Sequence, residues 1–188
     1  MAITIRPATP DDIPWMVDIS SINAKANVSS FTRGFIQSPL PADLIERWLP
    51  HIAVATVDGV TAGFAHSAPA PPPSAPRPPE PVSCHIVDNA ARILVDGQPL
   101  STLNYEFYGP ALVAADYRGQ GVYGTLFRHI VATARQQHRQ ALVAFVDADN
   151  PASLAVHTHL GFNVIDDLAI HGRNFHILVY SITENTST

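Results

Sequence analysis

Charge and cysteine are scarce in this sequence, which has 11 Lys and Arg residues, 16 Asp and Glu residues and the single cysteine Cys84. One cysteine cannot form a disulfide within the chain, so a reducing compartment is permitted. The net charge of −5 and the lack of a long Lys/Arg run argue against a nucleic-acid partner. No apolar run reaches the roughly 20 residues that span a bilayer, and the N-terminus lacks the layout of a signal peptide. We therefore expect a cytoplasmic protein that binds neither nucleic acid nor membrane.

What the chain does have is enough apolar sequence for a sizeable core. Hydrophobic residues make up 46% of its 188 residues, which is typical of a globular protein of this length. We expect one domain over residues 3–182 and a disordered polar tail over residues 183–188.

Proline is abundant and unevenly placed. Eight prolines crowd one segment: Pro69, Pro71, Pro72, Pro73, Pro76, Pro78, Pro79 and Pro81. Such a segment is expected to be extended and stiff, and composition favours a plain spacer over a ligand for an aromatic groove. We interpret residues 68–103 as an insertion between two strands. Such an insertion covers either a ligand site or the edge of a homodimer, and the sequence favours neither.

The N-terminal part alternates short strand and helix patterns. Thr4–Arg6 reads as a strand, and Thr9–Asp12 has the cap, proline and acids of a helix start. Leu40–Pro50 predicts a second helix with one apolar face, and the polar stretch Asn27–Ser38 predicts a loop. Ile52–His66 predicts a hairpin, because Asp-Gly separates two apolar runs.

A glycine-rich turn follows the strand pattern Ala111–Ala115. Arg118-Gly-Gln-Gly121 supplies two glycines and a cation, and from Val122 apolar residues recur at helical spacing. Glycines at a helix start let a phosphate reach unpaired N–H groups at the positive end of the dipole. The pattern therefore indicates a phosphate-bearing ligand, with a plain strand-to-helix turn as the alternative.

A second segment, Asp149–Phe162, follows the buried-strand pattern Ala141–Val146. Asn150 is a good helix cap with proline at the next position, and Gly161 is a good helix end. Local physics alone predicts a short helix here. His157 and His159, two positions apart, do not share a helix face, so we expect no metal site.

The two segments together resemble the GCN5-related N-acetyltransferases, the GNAT family. The first matches its acyl-CoA signature, Arg/Gln-x-x-Gly-x-Gly/Ala, except that Tyr123 replaces the usual Gly or Ala. The second matches Asn-x-x-Ser-x-x-x-Tyr-x-x-x-Gly-Phe, except that His157 replaces the tyrosine, as it does in the phosphinothricin-acetyltransferase-like branch. The resemblance implies an α/β (α+β) fold with a mixed, mostly antiparallel sheet. Its fourth and fifth strands are splayed, helices flank the sheet, and the fourth strand has a bulge, here near Gly109-Pro110.

The resemblance also implies site residues. Those expected to bind acetyl-CoA are Leu112, Val113, Arg118, Gly119, Gln120, Gly121, Val122, Tyr123, Gly124, Asn150 and Ser153. His157 stands where the family has the acid that protonates the CoA thiolate, and histidine titrates near neutrality. Glu106, on the strand before the cofactor loop and two residues from Tyr108, is the candidate base. The ring of Tyr123 must point away from the phosphates.

The resemblance thus predicts an acetyl-CoA-dependent N-acetyltransferase. The acceptor would be a primary amine of a small molecule, amino acid or protein, and it would attack the thioester directly. The alternative is a non-catalytic module that binds acyl-CoA or a partner protein. The histidine at position 157 has its own alternative, a helix residue packed by its stem, and Glu106 could equally be a solvated strand residue.

Overall fold

The computed structural model of the protein describes residues 1–72 and 74–182. The expected tail, residues 183–188, and Pro73 lie outside the described residues. The chain divides into two compact units, one made of residues 1–67 and 108–132 and the other of residues 68–107 and 133 onward. Each is described below by itself. None of the helices in the described residues is long and apolar enough to cross a bilayer.

The first unit contains two whole helices, most of a third, and a sheet. Its elements are β1 (Ile3–Pro7), α1 (Ile13–Ile22), α2 (Ala42–Trp48), β2 (Ile52–Val57), most of β3 (Val60–Pro69), the second part of β6 (Tyr105–Val113) and most of α4 (Val122–Gln136). The strands lie in the order β1-β2-β3-β6. Met16 and Ile45, from the two helices, pack with Val54, Phe64 and Leu112 of the sheet in one buried cluster.

Local signals in the first unit act as the sequence predicts. Thr9 and Asp12 form a capping box at the start of the 3-10 turn that leads into α1. Asp58 and Gly59 have φ values of 47° and 86° at the tip of the β2–β3 hairpin, as a two-residue turn of this kind requires. The second helix is shorter than predicted, since α2 ends at Trp48 and a separate 3-10 turn follows.

Gly63 lets β3 lie close to β6 and to α4. A Cβ at this position would lie 2.8 Å from the carbonyl oxygen of Leu112 and 3.3 Å from Cδ1 of Leu126. Any larger residue would therefore push β3 from β6 or from α4.

The second unit is built around the remaining strands. Its elements are α3 (Pro81–Asn89), β4 (Leu94–Val95), β5 (Gln98–Pro99), the start of β6, β7 (Ala141–Asp147), α5 (Pro151–His159), β8 (Asn163–Ile170) and β9 (Arg173–Ser181). The strand order is β6-β7-β9-β8, with β4 and β5 as a separate hairpin. The pairing of β6 with β7 is parallel and joins Tyr105–Phe107 to Ala141–Val143, and the other two pairings are antiparallel. With β6 common to both units, the sheet has seven strands, and the predicted fold class is confirmed.

The segment interpreted as an insertion, residues 68–103, contains a helix and part of the core. Its helix α3 was not predicted, although Glu80 caps it and Pro81 occupies the first position. Val82 and Ile86 of α3 pack into the same buried cluster as Val143 and Ile177 of the sheet. The proline segment bends rather than running straight, with a hydrogen bond from the Ala75 N–H to the Pro72 carbonyl at 2.9 Å. Residues 68–103 therefore contribute to the core of the second unit.

The predicted break at Gly109-Pro110 does not end the strand. β6 runs through both residues to Val113, although Gly109 has a φ of 110°, which only glycine adopts readily. The irregularity predicted at this point is therefore present as a local backbone feature within one continuous strand.

A buried histidine lies next to this irregularity. The Nδ1–H of His66 donates to the carbonyl of Gly109 at 3.0 Å, and the ring stacks on Trp48 at 4.3 Å between centroids. Its Nε2 has no hydrogen-bond partner among the described residues. Burial, partly offset by the bond to Gly109, lowers the pKa of His66 to about 4. The histidine is therefore neutral in the folded protein at neutral pH.

We predict that His66 makes the protein less stable in mild acid. Because its pKa falls from 6.5 in the unfolded chain to about 4 in the folded protein, the unfolded chain binds the extra proton between these values. The free energy of unfolding should drop by about 3 kcal/mol as the pH is lowered from 7 to 4 on account of this residue. Chemical denaturation of the wild type and of His66→Phe at several pH values measures the slope. His129→Gln, an exposed substitution in α4, is the control, and an equally steep slope in His66→Phe would contradict the prediction.

Candidate active site

The glycine-rich loop lies in the first unit, between β6 and α4. Gly119 and Gly121 have φ values of 74° and 82°, so both occupy the left-handed region that favours glycine. A Cβ at either position would meet no atom within 4 Å. At the start of α4 the Thr125 N–H donates to the Gly121 carbonyl at 3.0 Å. Open space over two glycines at the positive end of a helix suits a phosphate.

The other loop side chains leave this surface open. Gln120 turns back and donates from Nε2 to the Asp116 carbonyl at 2.7 Å. Val122 is buried, and a Cβ on Gly124 would meet only Nη1 of Arg128, at 3.4 Å.

Tyr123, the departure from the family signature, points into the unit. Its hydroxyl interacts with that of Tyr108, and burial, partly offset by this hydrogen bond, raises the pKa of Tyr123 to about 12. Burial also raises the pKa of Tyr108, whose ring meets Phe127 edge-on at 5.6 Å. Tyr123 is thus held by its partner in β6.

Leu112 and Val113, the two strand residues expected to meet the pantetheine arm, are both buried. The carbonyl of Val113 accepts a hydrogen bond from Nε of Arg118 at 3.1 Å. Nη2 of the same guanidinium donates to Oδ1 of Asn23 at 2.6 Å. Burial and the nearby charge of Arg33 lower the pKa of Arg118. The side chain of Arg118 therefore ties the end of β6 to the end of α1.

A second cation near the loop was missed. Arg128 is exposed in the second turn of α4. Its Nη2 donates to Oγ1 of Thr125 at 2.9 Å, and the Thr125 hydroxyl donates to the Gly121 carbonyl at 2.9 Å. The sequence signal would have been a basic residue four positions after Gly124, on the same face of the helix.

In the second unit, α5 begins as the sequence predicts. Asn150 is buried, and its Oδ1 accepts from the Ser153 N–H at 3.2 Å. Gly161 has a φ of 98°, and the Phe162 N–H returns to the His157 carbonyl at 3.0 Å, which closes the C-terminus of the helix.

His157 is buried on the inner side of α5. Its Nδ1 lies 2.8 Å from the carbonyl of Ser153, and its ring meets Phe162 edge-on at 5.2 Å. A carbonyl can only accept, so Nδ1 carries a proton and Nε2 carries the lone pair of the neutral ring. Burial lowers the pKa of His157, partly offset by the bond to Ser153. His159 is exposed on the same helix.

Glu106 is not the solvated strand residue of the alternative interpretation. It is 5% exposed, and its Oε1 accepts from Nε of Arg139 at 3.0 Å. Nη1 of Arg139 also donates to Oδ1 of Asn104. Glu106 therefore belongs to a buried ion pair of the second unit.

Nowhere in residues 1–72 and 74–182 do three His, Cys, Asp or Glu side chains cluster as a metal site would need.

The first unit also contains a cavity of about 630 Å³. The side chains that line it come from α1, from the loop that follows α1 and from the segment after β6. We call this the α1 cavity, and its lining is Trp15, Asp18, Ile19, Ile22, Asn23, Asn27, Val28, Ser29, Ser30, Thr32, Arg33, Gly34, Ala114, Ala115 and Arg118. Residues of the polar stretch predicted as a loop, Asn27–Ser38, thus form a wall of this cavity.

Solved structures share this fold at low sequence identity. An N-acetyltransferase from Staphylococcus aureus Mu50 is 18% identical with a TM-score of 0.65, over 97% of this chain and 100% of that one. YncA from Salmonella typhimurium with its cofactor acetyl-CoA is 16% identical with a TM-score of 0.64, over 100% and 98%. Ribosomal-protein-alanine N-acetyltransferase from Brucella melitensis is 20% identical with a TM-score of 0.62, over 95% and 99%. No curated protein sequence matches the chain.

A family model described as the acetyltransferase (GNAT) family matches residues 22–162, which is more than half of the chain. The matched range includes the glycine-rich loop and extends to Phe162, so both motifs lie within it. The match confirms the resemblance drawn from those motifs and the class of enzyme that it implied, an acetyltransferase. The chain belongs to the acetyltransferase (GNAT) family.

Proposed function

We propose that this protein transfers the acetyl group of acetyl-CoA to a primary amine by direct attack of the amine on the thioester. The observation that carries the proposal is the open glycine surface at the start of α4, where Gly119 and Gly121 adopt φ values of 74° and 82°. The family match and the acetyl-CoA found with YncA support acetyl-CoA as the co-substrate. A non-catalytic acyl-CoA-binding module is the alternative, and it predicts binding without turnover of any amine.

The residues of the loop fit the co-substrate. In the first unit the backbone N–H groups from Arg118 to Gly124 would bind the pyrophosphate, and Leu112 and Val113 would meet the pantetheine arm. Arg128 would add positive charge to the loop. In the second unit Asn150 and Ser153 would line the pantetheine. Because the hydroxyl of Tyr123 is buried with Tyr108, we infer that its ring leaves the phosphates room.

The reaction needs two proton movements. The amine nitrogen forms a C–N bond to the acetyl carbon while the C–S bond breaks, and the nitrogen gives up one proton as the thiolate takes one. We assign Glu106 as the proton acceptor and His157 as the donor to the thiolate. This cycle consumes one acetyl-CoA and one amine and releases CoA and the amide.

The geometry of His157 restricts how it can act. Its Nδ1–H is bound to the Ser153 carbonyl at 2.8 Å, so donation must come from Nε2, which is protonated only in the imidazolium form. Since burial lowers the pKa of His157, this form is the minor one at neutral pH. Donation by His157 would therefore be favoured by mild acid.

The fold is consistent with more than one class of amine acceptor. The relative from Brucella melitensis is named for an alanine of a ribosomal protein, so a peptide amine and a small-molecule amine are both consistent with the fold. The free thiol of Cys84 is consistent with a reducing compartment, and we propose the cytoplasm as the place of action. We also propose that residues 68–103 cover either the acceptor or the edge of a homodimer.

Gly121→Val should weaken the binding of acetyl-CoA at least tenfold, because its side chain would fill the open space over the loop. Gly97→Val is the matched control, since Gly97 has a φ of 80° against 82° at Gly121, and neither has an atom within 4 Å of its Cβ position. The thermal shift by acetyl-CoA, about 2.7 kcal/mol of stabilisation at 100 times the Kd, reports binding. Equal shifts in both variants would contradict the assignment of the phosphate site.

His157→Phe should lower kcat about a hundredfold while leaving acetyl-CoA binding largely intact, since general acid catalysis is lost. His157→Tyr, which restores the residue usual in the family, should recover much of the rate. Because the acid form of His157 gains population as pH falls, the ratio of wild-type to His157→Phe rates should rise from pH 8 to pH 6. His159→Gln is the control for changes to α5, and a ratio that rises with pH would mean that His157 accepts a proton instead.

Glu106→Gln and Arg139→Gln separate a base from a structural ion pair. Each removes one member of the ion pair, whose Arg139 and Glu106 side chains are 19% and 6% exposed, and should cost about 1–3 kcal/mol of stability. If Glu106 is the base, Glu106→Gln should also lose about a hundredfold in kcat, whereas Arg139→Gln should keep most of it. Denaturant unfolding and steady-state kinetics are measured on both, and similar kcat values in the two variants would remove Glu106 from the mechanism.

A further inference from the structure

The α1 cavity has two arginines in its lining, Arg33 and Arg118. They are close enough for the charge of Arg33 to contribute to the lowered pKa of Arg118. Among residues 1–72 and 74–182, neither arginine has a carboxylate within ion-pair distance. Two cations that line one cavity, neither of them ion-paired, repel each other, and a bound anion would relieve the repulsion.

Arg118 is fixed in place without being neutralised. Its two hydrogen bonds go to neutral acceptors, the Val113 carbonyl at 3.1 Å and Oδ1 of Asn23 at 2.6 Å. A guanidinium has five N–H groups, so three remain to bind a ligand. The full positive charge also remains, in the fork geometry that matches a carboxylate or a phosphate.

The wall that holds this cation is tied together by hydrogen bonds. Nδ2 of Asn23 donates to the Ile19 carbonyl at 2.8 Å, so both ends of its amide are used. The backbone of the following loop is fixed by bonds from the Ile36 N–H to the Asn23 carbonyl at 2.9 Å and from the Lys25 N–H to the Ile36 carbonyl at 2.8 Å. A binding surface that is ordered before the ligand arrives loses less entropy on binding.

The rest of the lining is mixed. Trp15, Ile19 and Ile22 of α1 give it an apolar side, and Asp18 is its one acidic residue. Two cations and one carboxylate leave the lining with a positive balance. A volume of about 630 Å³ lies in the range of pockets that bind small molecules.

The position of the cavity connects it to the reaction. Ala114 and Ala115 line it, and they directly follow Val113, at roughly 3.3 Å of chain per residue. We propose that the α1 cavity receives the acceptor and that the acceptor is an acidic amine, whose carboxylate or phosphate group is bound jointly by Arg33 and Arg118. This inference rests on the proposed acetyl transfer and adds the class of acceptor to it.

An anionic group of CoA itself is the competing occupant. Gly119 and Gly121 are not in the lining of the cavity, which favours the acceptor over the pyrophosphate. The 3′-phosphate of CoA is tested separately, because dephospho-CoA lacks this group and is otherwise the same molecule.

The experiment compares matched amines on matched variants. The probes are L-phenylalanine with L-phenylalaninamide, L-methionine with L-methioninamide, and O-phosphoethanolamine with ethanolamine. Arg33→Gln removes the exposed cation of the cavity, and Arg47→Gln removes an equally charged, exposed residue of α2 that lies outside it. Rates of thiol release give kcat/KM, and thermal unfolding with each probe in the presence of CoA gives binding without turnover.

We expect at least one acid to exceed its neutral partner at least tenfold in kcat/KM on the wild type and to raise the unfolding temperature more. Arg33→Gln should lose about tenfold for that acid through KM, since a charge-assisted contact is removed, while Arg47→Gln keeps the preference. Acids that neither react nor stabilise better than their partners would overturn the inference, as would equal loss in both variants. An Arg33→Gln defect for CoA that is absent for dephospho-CoA would assign the arginine to the 3′-phosphate and also overturn it. If the wild type neither binds acetyl-CoA nor acetylates any of the probes, the proposed function itself fails.

Discussion

The contact at Gly63 is the constraint on which the candidate site of the first unit depends. A Cβ there would lie 2.8 Å from the Leu112 carbonyl and close to Leu126, so the missing side chain sets the spacing of β3, β6 and α4 together. The glycine-rich loop connects the last two of these elements. Its position is therefore determined by packing beneath it, and the loop needs only its own glycines to expose the helix N–H groups.

Arg118 shows how one side chain can serve the fold and still carry its charge to a ligand. An ion pair would have held it as firmly but would have cancelled its charge. The neutral acceptors on Asn23 and Val113 fix the guanidinium, at 2.6 and 3.1 Å, and leave it cationic. The motif position of this arginine suggested a phosphate ligand, yet its side chain lines the α1 cavity with Arg33. Sequence spacing gives the position of a residue on a loop, whereas the direction of a long side chain depends on partners far away in the chain.

Local features of this protein are predictable from its sequence, whereas contacts between residues far apart in the chain are not. Caps, turns and the two glycine motifs are local, so α5 begins and ends where Asn150 and Gly161 indicate. The helix α3 was not predicted, because the eight prolines at and before its start indicated an extended spacer. Its apolar residues Val82 and Ile86 nevertheless enter the core. The ion pair of Glu106 with Arg139 joins residues 33 positions apart, and the burial of His66 depends on Trp48 and Gly109. No local pattern encodes such distant contacts.

Arg33 and Arg118 would also offset a cost that an acidic acceptor brings to the chemistry. In a free amino acid the carboxylate stabilises the nearby ammonium group, which must lose a proton before it can attack. When Arg33 and Arg118 bind that carboxylate, they neutralise its field, and their own charges favour the neutral amine. Less proton affinity is then required of the group that accepts the amine proton. Binding of the acid and deprotonation of its amine would thus be coupled through the same two cations.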